Sequence, residues 1–144
     1  MTTVVPEQAV VPVSAQPAAP RLVPARVADK PIWLECADWC VLNHVAENNR
    51  FLEDVYHSGE MVDLEAPRFN GDPVLLAFVR LGLDSFGSDP ELRTPFLVLE
   101  EGAGTGEGVY MRPEQAEEFA NGLVAFAGQV LAMARTITAS EAAS

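Results

Sequence analysis

The stretch "CADWCVLNH", Cys36 to His44, holds both cysteines of the chain and one of its two histidines, and the other, His57, follows shortly after. Written out, the pattern is Cys36-x3-Cys40-x3-His44-x12-His57. If the segment is helical, four-residue steps set three of these side chains along one face, each about 40° further round than the last; an irregular turn also converges them. His57 then returns from a loop to close a tetrahedron, the arrangement in which two thiolates and two neutral imidazoles hold zinc. The intervening "VAENNRFLEDVY" is long enough for that return, and Asn48-Asn49 supplies a turn. A metal held this way would be part of folding itself, so the reading of these four residues decides what kind of domain surrounds them.

The spacing alone is not that of a C-x2-C finger, and the confinement of all four residues to one short window carries the zinc signature. Two other readings compete. Cys36 and Cys40 can be small buried hydrophobes with His44 and His57 on the surface, or the thiols can be a redox pair. A redox pair usually has two intervening residues, and no thioredoxin-like pattern surrounds this one. Trp33 and Trp39 bracket Cys36 and are expected to pack the Cys/His segment onto the sheet and keep it dry, with an exposed recognition patch as the alternative.

Outward from this segment, the chain has the period of an α+β protein. "MVDLEAP" (61–67) alternates as a half-buried strand, "PVLLAFVRLGLD" (73–84) is apolar enough for a central strand, and "TPFLVLEEG" (94–102) with "GVYMR" (108–112) reads as a hairpin. "FGSDPEL" between them is a loop. In "RPEQAEEFANGLVAFAGQVLAMARTI", Pro113 suits the first helical turn, Glu114, Glu117 and Glu118 complement the N-terminus, and Arg135 lies near the other end. Ala116, Phe119, Ala120, Leu123, Ala127, Val130, Leu131 and Ala134 recur at three- and four-residue steps, giving one apolar face narrow enough to lie on a sheet. The expected fold is therefore a small antiparallel sheet of about three to four strands covered by one long C-terminal helix, with an N-terminal Cys/His zinc-binding segment. Residues 1–30, rich in Pro, Ala and Val, are expected to be a disordered leader, 31–137 a single zinc-stabilised domain, and 138–144 a frayed tail.

With 144 residues the chain has room for one core. No apolar run approaches the ~18 residues of a membrane span, and the N-terminus lacks the positive start and apolar block of a secretory signal, so a soluble, cytoplasmic protein is expected. In that reducing compartment the cysteines are thiols or metal ligands. A net charge of -12 repels phosphate backbones and argues against direct nucleic-acid binding, while it is compatible with a basic partner. The glycines of "EEGAGTGEGVY" alternate strictly, do not make a phosphate-binding pattern, and follow two glutamates, so a hairpin loop is expected there. No Gly-x-Ser-x-Gly elbow is present, and serine hydrolysis has no support.

"DWCVLNH", the later "VYHSG", and the C-terminal "MRPEQAEEFANGL" helix after a hairpin resemble a family of small acidic domains of unknown function found in high-GC Gram-positive bacteria and their phages. The resemblance spans about Pro31 to Thr136. It implies the architecture and the set Cys36, Cys40, His44 and His57, and no reaction. The function expected is a non-enzymatic, zinc-stabilised, regulatory protein-interaction module, since four protein ligands leave zinc no open position. The alternatives are an enzyme of hydrolase type, with three ligands and Glu60 or Asp38 as general base, and an acidic phage or defence factor occluding a basic surface.

Overall fold

The computed structural model describes residues 20–144. Its first elements are strands β1 (Arg21–Val27) and β2 (Lys30–Cys36), an antiparallel ribbon in which Arg21 faces Cys36 and Val27 faces Lys30. Ala28 and Asp29 make the two-residue turn with φ of 48° and 64°, the type I′ geometry whose twist matches the strands but which side chains other than glycine's disfavour. Bonds from outside hold it: Asp29 N donates to Asn48 Oδ1 at 3.0 Å, Asn48 Nδ2 to Asp29 Oδ1 at 2.7 Å, and Ala28 N to the Asn49 carbonyl at 2.8 Å. Asn48, in the left-handed conformation with φ of 41°, and Asn49, bridged to Val27, thus act as a clamp on this hairpin.

The ribbon corrects the expected boundary at Pro31, because β1 lies inside the span read as leader. Val23, Ala25 and Val27 alternate inward along β1, but Pro24 between them masks the period. Proline is tolerated because both strands of a two-stranded ribbon are edges; Pro24 pairs with Trp33, and Pro31 with Arg26. Residues 1–19 of the expected leader lie outside the described residues.

The second sheet contains β3 (His57–Ser58), β4 (Val62–Ala66), β5 (Val74–Leu83), β6 (Phe96–Glu101) and β7 (Val109–Met111), all antiparallel. β5 is the central strand, as its apolar sequence predicts. β6 and then β7 lie on one side of it, while β3 and β4 share the other side end to end, with Ser58 opposite Gly82 and Val62 opposite Val79. The four strands expected from the sequence are all present, and β3 is a fifth. Gly82 faces Phe96 across the β5–β6 pair, and a Cβ there would collide with the Phe96 ring. The glycine-rich segment is the β6–β7 hairpin loop. Between the two sheets run a short helix α1 (His44–Glu47) and a 3-10 turn (Leu52–Asp54); a second 3-10 turn (Pro90–Arg93) precedes β6.

Helix α2 (Pro113–Ala142) follows β7 with only Arg112 between them. Gln115 Oε1 accepts from Arg112 N at 3.0 Å, and Arg112 Nη2 lies 2.6 Å from Glu91 Oε1. The class is α+β, antiparallel sheets plus one long C-terminal helix. The helix does not, however, cover the sheet: Ala116 and Phe119 are half-buried, and every residue from Ala120 onward is exposed. Its sheet contacts are with β6 and β7. With one residue linking an edge strand to the first helical turn, no loop is available to fold the helix back over a sheet face. The expected frayed tail is also helical as far as Ala142, where Thr136, Thr138 and Ser140 return their hydroxyls to carbonyls four residues back. By length and composition α2 is apolar enough to cross a membrane, contrary to the sequence reading; mostly buried core helices of soluble proteins pass the same test, but the apolar window of α2 is unburied.

The apolar core is small. Ala25, Leu34 and Val55 form its buried centre, with Val23, Val27 and Ile32 packed around them. Much of what else is buried is not aliphatic: Cys36, Cys40, His44, His57 and Ser58.

Candidate metal centre

Each of the four donors is placed by a different local device. Cys36 is the last residue of β2. The chain then turns, with Cys40 N donating to the Ala37 carbonyl at 3.1 Å, and Val41 N donating to the Ser58 carbonyl at 2.9 Å, which ties the segment to β3. Asn43 caps α1, its Oδ1 accepting from Val45 N and Ala46 N at 3.1 Å each, a use of Asn that satisfies otherwise orphaned helix N–H groups. His44 is therefore fixed as the first helical residue. Of the two geometries the spacing permits, the irregular turn is the one adopted. His57 arrives from the opposite direction, on β3, where it pairs with Leu83.

The side chains converge. Cys36 Sγ and Cys40 Sγ lie 3.5 and 3.6 Å from His44 Nε2, and one ligand atom from each of the four residues falls within 4.8 Å of every other. The His44 and His57 rings meet edge to face at 5.0 Å. A tetrahedral ion with Zn–S of about 2.3 Å and Zn–N of about 2.0–2.1 Å has S···N edges of about 3.6 Å, which is the separation found here. All four residues are buried, and His57 is only 1% exposed.

The electrostatics suit a cation. Burial pushes the Cys36 thiol up to about 11, with the neighbouring Cys40 adding to the effect and Arg21 opposing it. Burial lowers both histidines; His44 adds to this for His57, and Glu47 opposes it for His44. The imidazoles are therefore neutral and carry free lone pairs. His44 Nδ1 and both ring nitrogens of His57 are buried with no hydrogen-bond partner among the described residues, a penalty of about 1–3 kcal/mol for each such group. A divalent cation would take one ring nitrogen from each histidine, Nε2 in the case of His44, and convert the buried thiols to bound thiolates. The donor set fits a metal ion on its own chemistry.

The aromatic neighbours divide. Trp39 is half-buried and lines a cleft with Glu35, Cys36, Asp38 and Leu83. Trp33 is 72% exposed, so it does not seal the cluster as expected. Side chains alternate along β2, and because Leu34 and Cys36 point inward, Trp33 must point out, over a groove lined by Pro24, Pro31 and Val45. Asp38 borders the cleft beside Cys36, and Glu60 is exposed just after Gly59. Sequence reasoning missed the part played by Ser58, whose carbonyl holds the Cys40–Val41 backbone. A backbone acceptor leaves no mark in residue type.

No curated protein and no solved structure matches the chain. A family model described as "Domain of unknown function (DUF6907)" matches residues 12–139, a span that takes in both sheets, all four donors and nearly all of α2. The chain belongs to that family of domains of unknown function.

Proposed function

We propose that the metal is zinc, that its role is structural, and that the domain is a non-enzymatic protein-interaction module. The observation that carries this reading is the mutual approach of two sulfurs and two imidazoles within 4.8 Å, all buried. Two thiolates and two imidazoles in tetrahedral array are a zinc donor set, and four protein ligands leave no position for a substrate or a reactive water. Zinc binding in small metal-dependent domains contributes about 10–16 kcal/mol, ample for a chain whose aliphatic core is this small. The exposed Trp33 groove on the metal-anchored ribbon suits a partner protein, since tryptophans dominate interface energies, and the net charge of -12 suits a basic one.

Elemental analysis of protein purified without added metal should give one zinc per chain. His57→Ala should lose the metal and lower the melting temperature together, whereas His57→Cys, which restores a donor, should keep both close to the parent. Absence of stoichiometric metal from the parent protein overturns the zinc reading. Retention of zinc in His57→Ala makes the site a three-ligand one, open to water, and transfers the case to the hydrolytic alternative with Asp38 or Glu60 as base.

A further inference from the structure

Along α2, Ala116, Phe119, Leu123, Phe126, Val130, Met133 and Ile137 follow one another at alternating steps of three and four. This is a 3.5-residue period sustained over three heptads, the seam of a left-handed helix pair rather than of a helix lying on a sheet. The seam is open: from Leu123 to Ile137 its members are 41–65% exposed. Beside it, Ala120, Ala127 and Ala134 recur on one flank and Gly122, Gln129 and Thr136 on the other, so no charge borders it and small side chains allow two helices to approach closely.

We propose that α2 pairs with α2 of a second copy of this chain, as an antiparallel two-helix interface. The inference stands apart from the zinc reading, because none of these residues is at the metal centre. Matching the seam antiparallel about position 128 sets Phe119 against Ile137, Leu123 against Met133, and Phe126 against Val130, so each large side chain meets one of complementary size. The open side chains, with the flanking alanines, offer on the order of 600–700 Å² per copy, at the lower end of what stable interfaces bury. Charge selects the orientation. A parallel pair would stack Glu114, Glu117 and Glu118 against their own copies and bring two bodies of net charge -12 together. The antiparallel pair keeps the acidic bodies at opposite ends and sets Glu117 and Glu118 within about one turn of the other copy's Arg135.

A lipid bilayer fits less well. The uncharged stretch Phe119–Ala134 spans about 24 Å as helix, short of the ~30 Å hydrocarbon core, and it carries Asn121 and Gln129.

Sedimentation equilibrium of the full chain at micromolar concentration, with zinc content measured on the same samples, tests the proposal. The expected result is twice the 15.5 kDa chain mass, with Phe126→Asp raising the dissociation constant at least 100-fold and leaving metal content unchanged, because Phe126 is exposed in the single chain. A spin label on Ser140→Cys should report a separation of about 35 Å across the antiparallel pair. A monomer at 100 micromolar, a dimer indifferent to Phe126→Asp, or a label separation near the roughly 10 Å of a parallel pair overturns it. So does a monomer that floats with neutral phosphatidylcholine vesicles and loses that binding in Phe126→Asp, which would make the seam a membrane surface.

Discussion

Asp84 is a residue whose ionisation the fold resists. It follows β5, half-buried in a cleft with Glu53, Asp54 and Arg80, and its backbone is engaged on both sides: its N–H donates to the Leu92 carbonyl at 2.8 Å and its own carbonyl accepts from Gly87 N at 3.1 Å. Burial raises its pKa above 3.8, Arg80 works against the rise, and Asp89 adds to it. The folded protein therefore holds this proton more tightly than the unfolded chain. In the window from 3.8 up to the raised folded value, stability falls as pH rises, and above that value the cost of the buried carboxylate is complete. Asp84→Asn removes the charge and keeps the shape. Its melting temperature should exceed the parent's at pH 7, and the gap should close as the pH is lowered toward 3.8, followed by calorimetry of both proteins in matched buffers. Equal melting temperatures at pH 7 would mean that Arg80 compensates the carboxylate in full.

At the level of elements, the parts that sequence periodicity reveals and the parts it hides differ in where their partners come from. β4, β5, β6 and β7 are legible because apolar alternation and the turns between them are local, and α2 because its 3.5-residue repeat is long. The four donors are legible because their residue types are few and crowded. β1 is hidden because Pro24 within it and an Ala-Asp turn at positive φ after it contradict local propensity; the ribbon is held instead by Asn48 and Asn49, nineteen or more residues away in the chain. β3 is hidden because it is two residues long and exists only as an addition to the edge of β5. The direction of α2 is hidden because it is set by the one-residue link from β7, which the pattern of the helix itself does not encode.

The ribbon gives an element-scale prediction. A chain truncated to residues 31–144 retains every metal donor but loses β1, which supplies Ala25, Val23 and Val27 to the core and pairs β2 along its length as far as Cys36. Leu34 would be left uncovered, a loss comparable to the about 2–5 kcal/mol of a large core truncation. The truncated chain should bind zinc more weakly than the full chain in a competitive chelator titration and melt at a lower temperature. Equal affinity would show that residues 36–57 form the metal site without the ribbon.

Over the whole molecule, the candidate metal centre lies where the fold is otherwise weakest. No strand pairing connects the ribbon to the five-stranded sheet among the described residues, and the aliphatic core belongs to the ribbon side, where Val55 joins Ala25 and Leu34. Cys36 ends the ribbon, Cys40 and His44 belong to the connecting segment, and His57 is in the sheet, so one ion would fasten all three parts. Without it, the unpartnered imidazole nitrogens favour separation of these parts, because hydration satisfies them better than the dry cluster does. The sheet has independent support from the β5–β6 pairing, with Phe96 and Val98 buried, so the two halves should not fail together. Chelation of the proposed zinc should therefore strip amide-exchange protection from Arg21–Glu47 by at least 100-fold while β5 and β6 lose far less, a regional opening rather than global unfolding. Restoring zinc should restore the protection in both β1 and β2. Uniform loss across ribbon and sheet would instead mean that the ion supports one cooperative unit, and that the sheet depends on the ribbon through contacts other than the four donors.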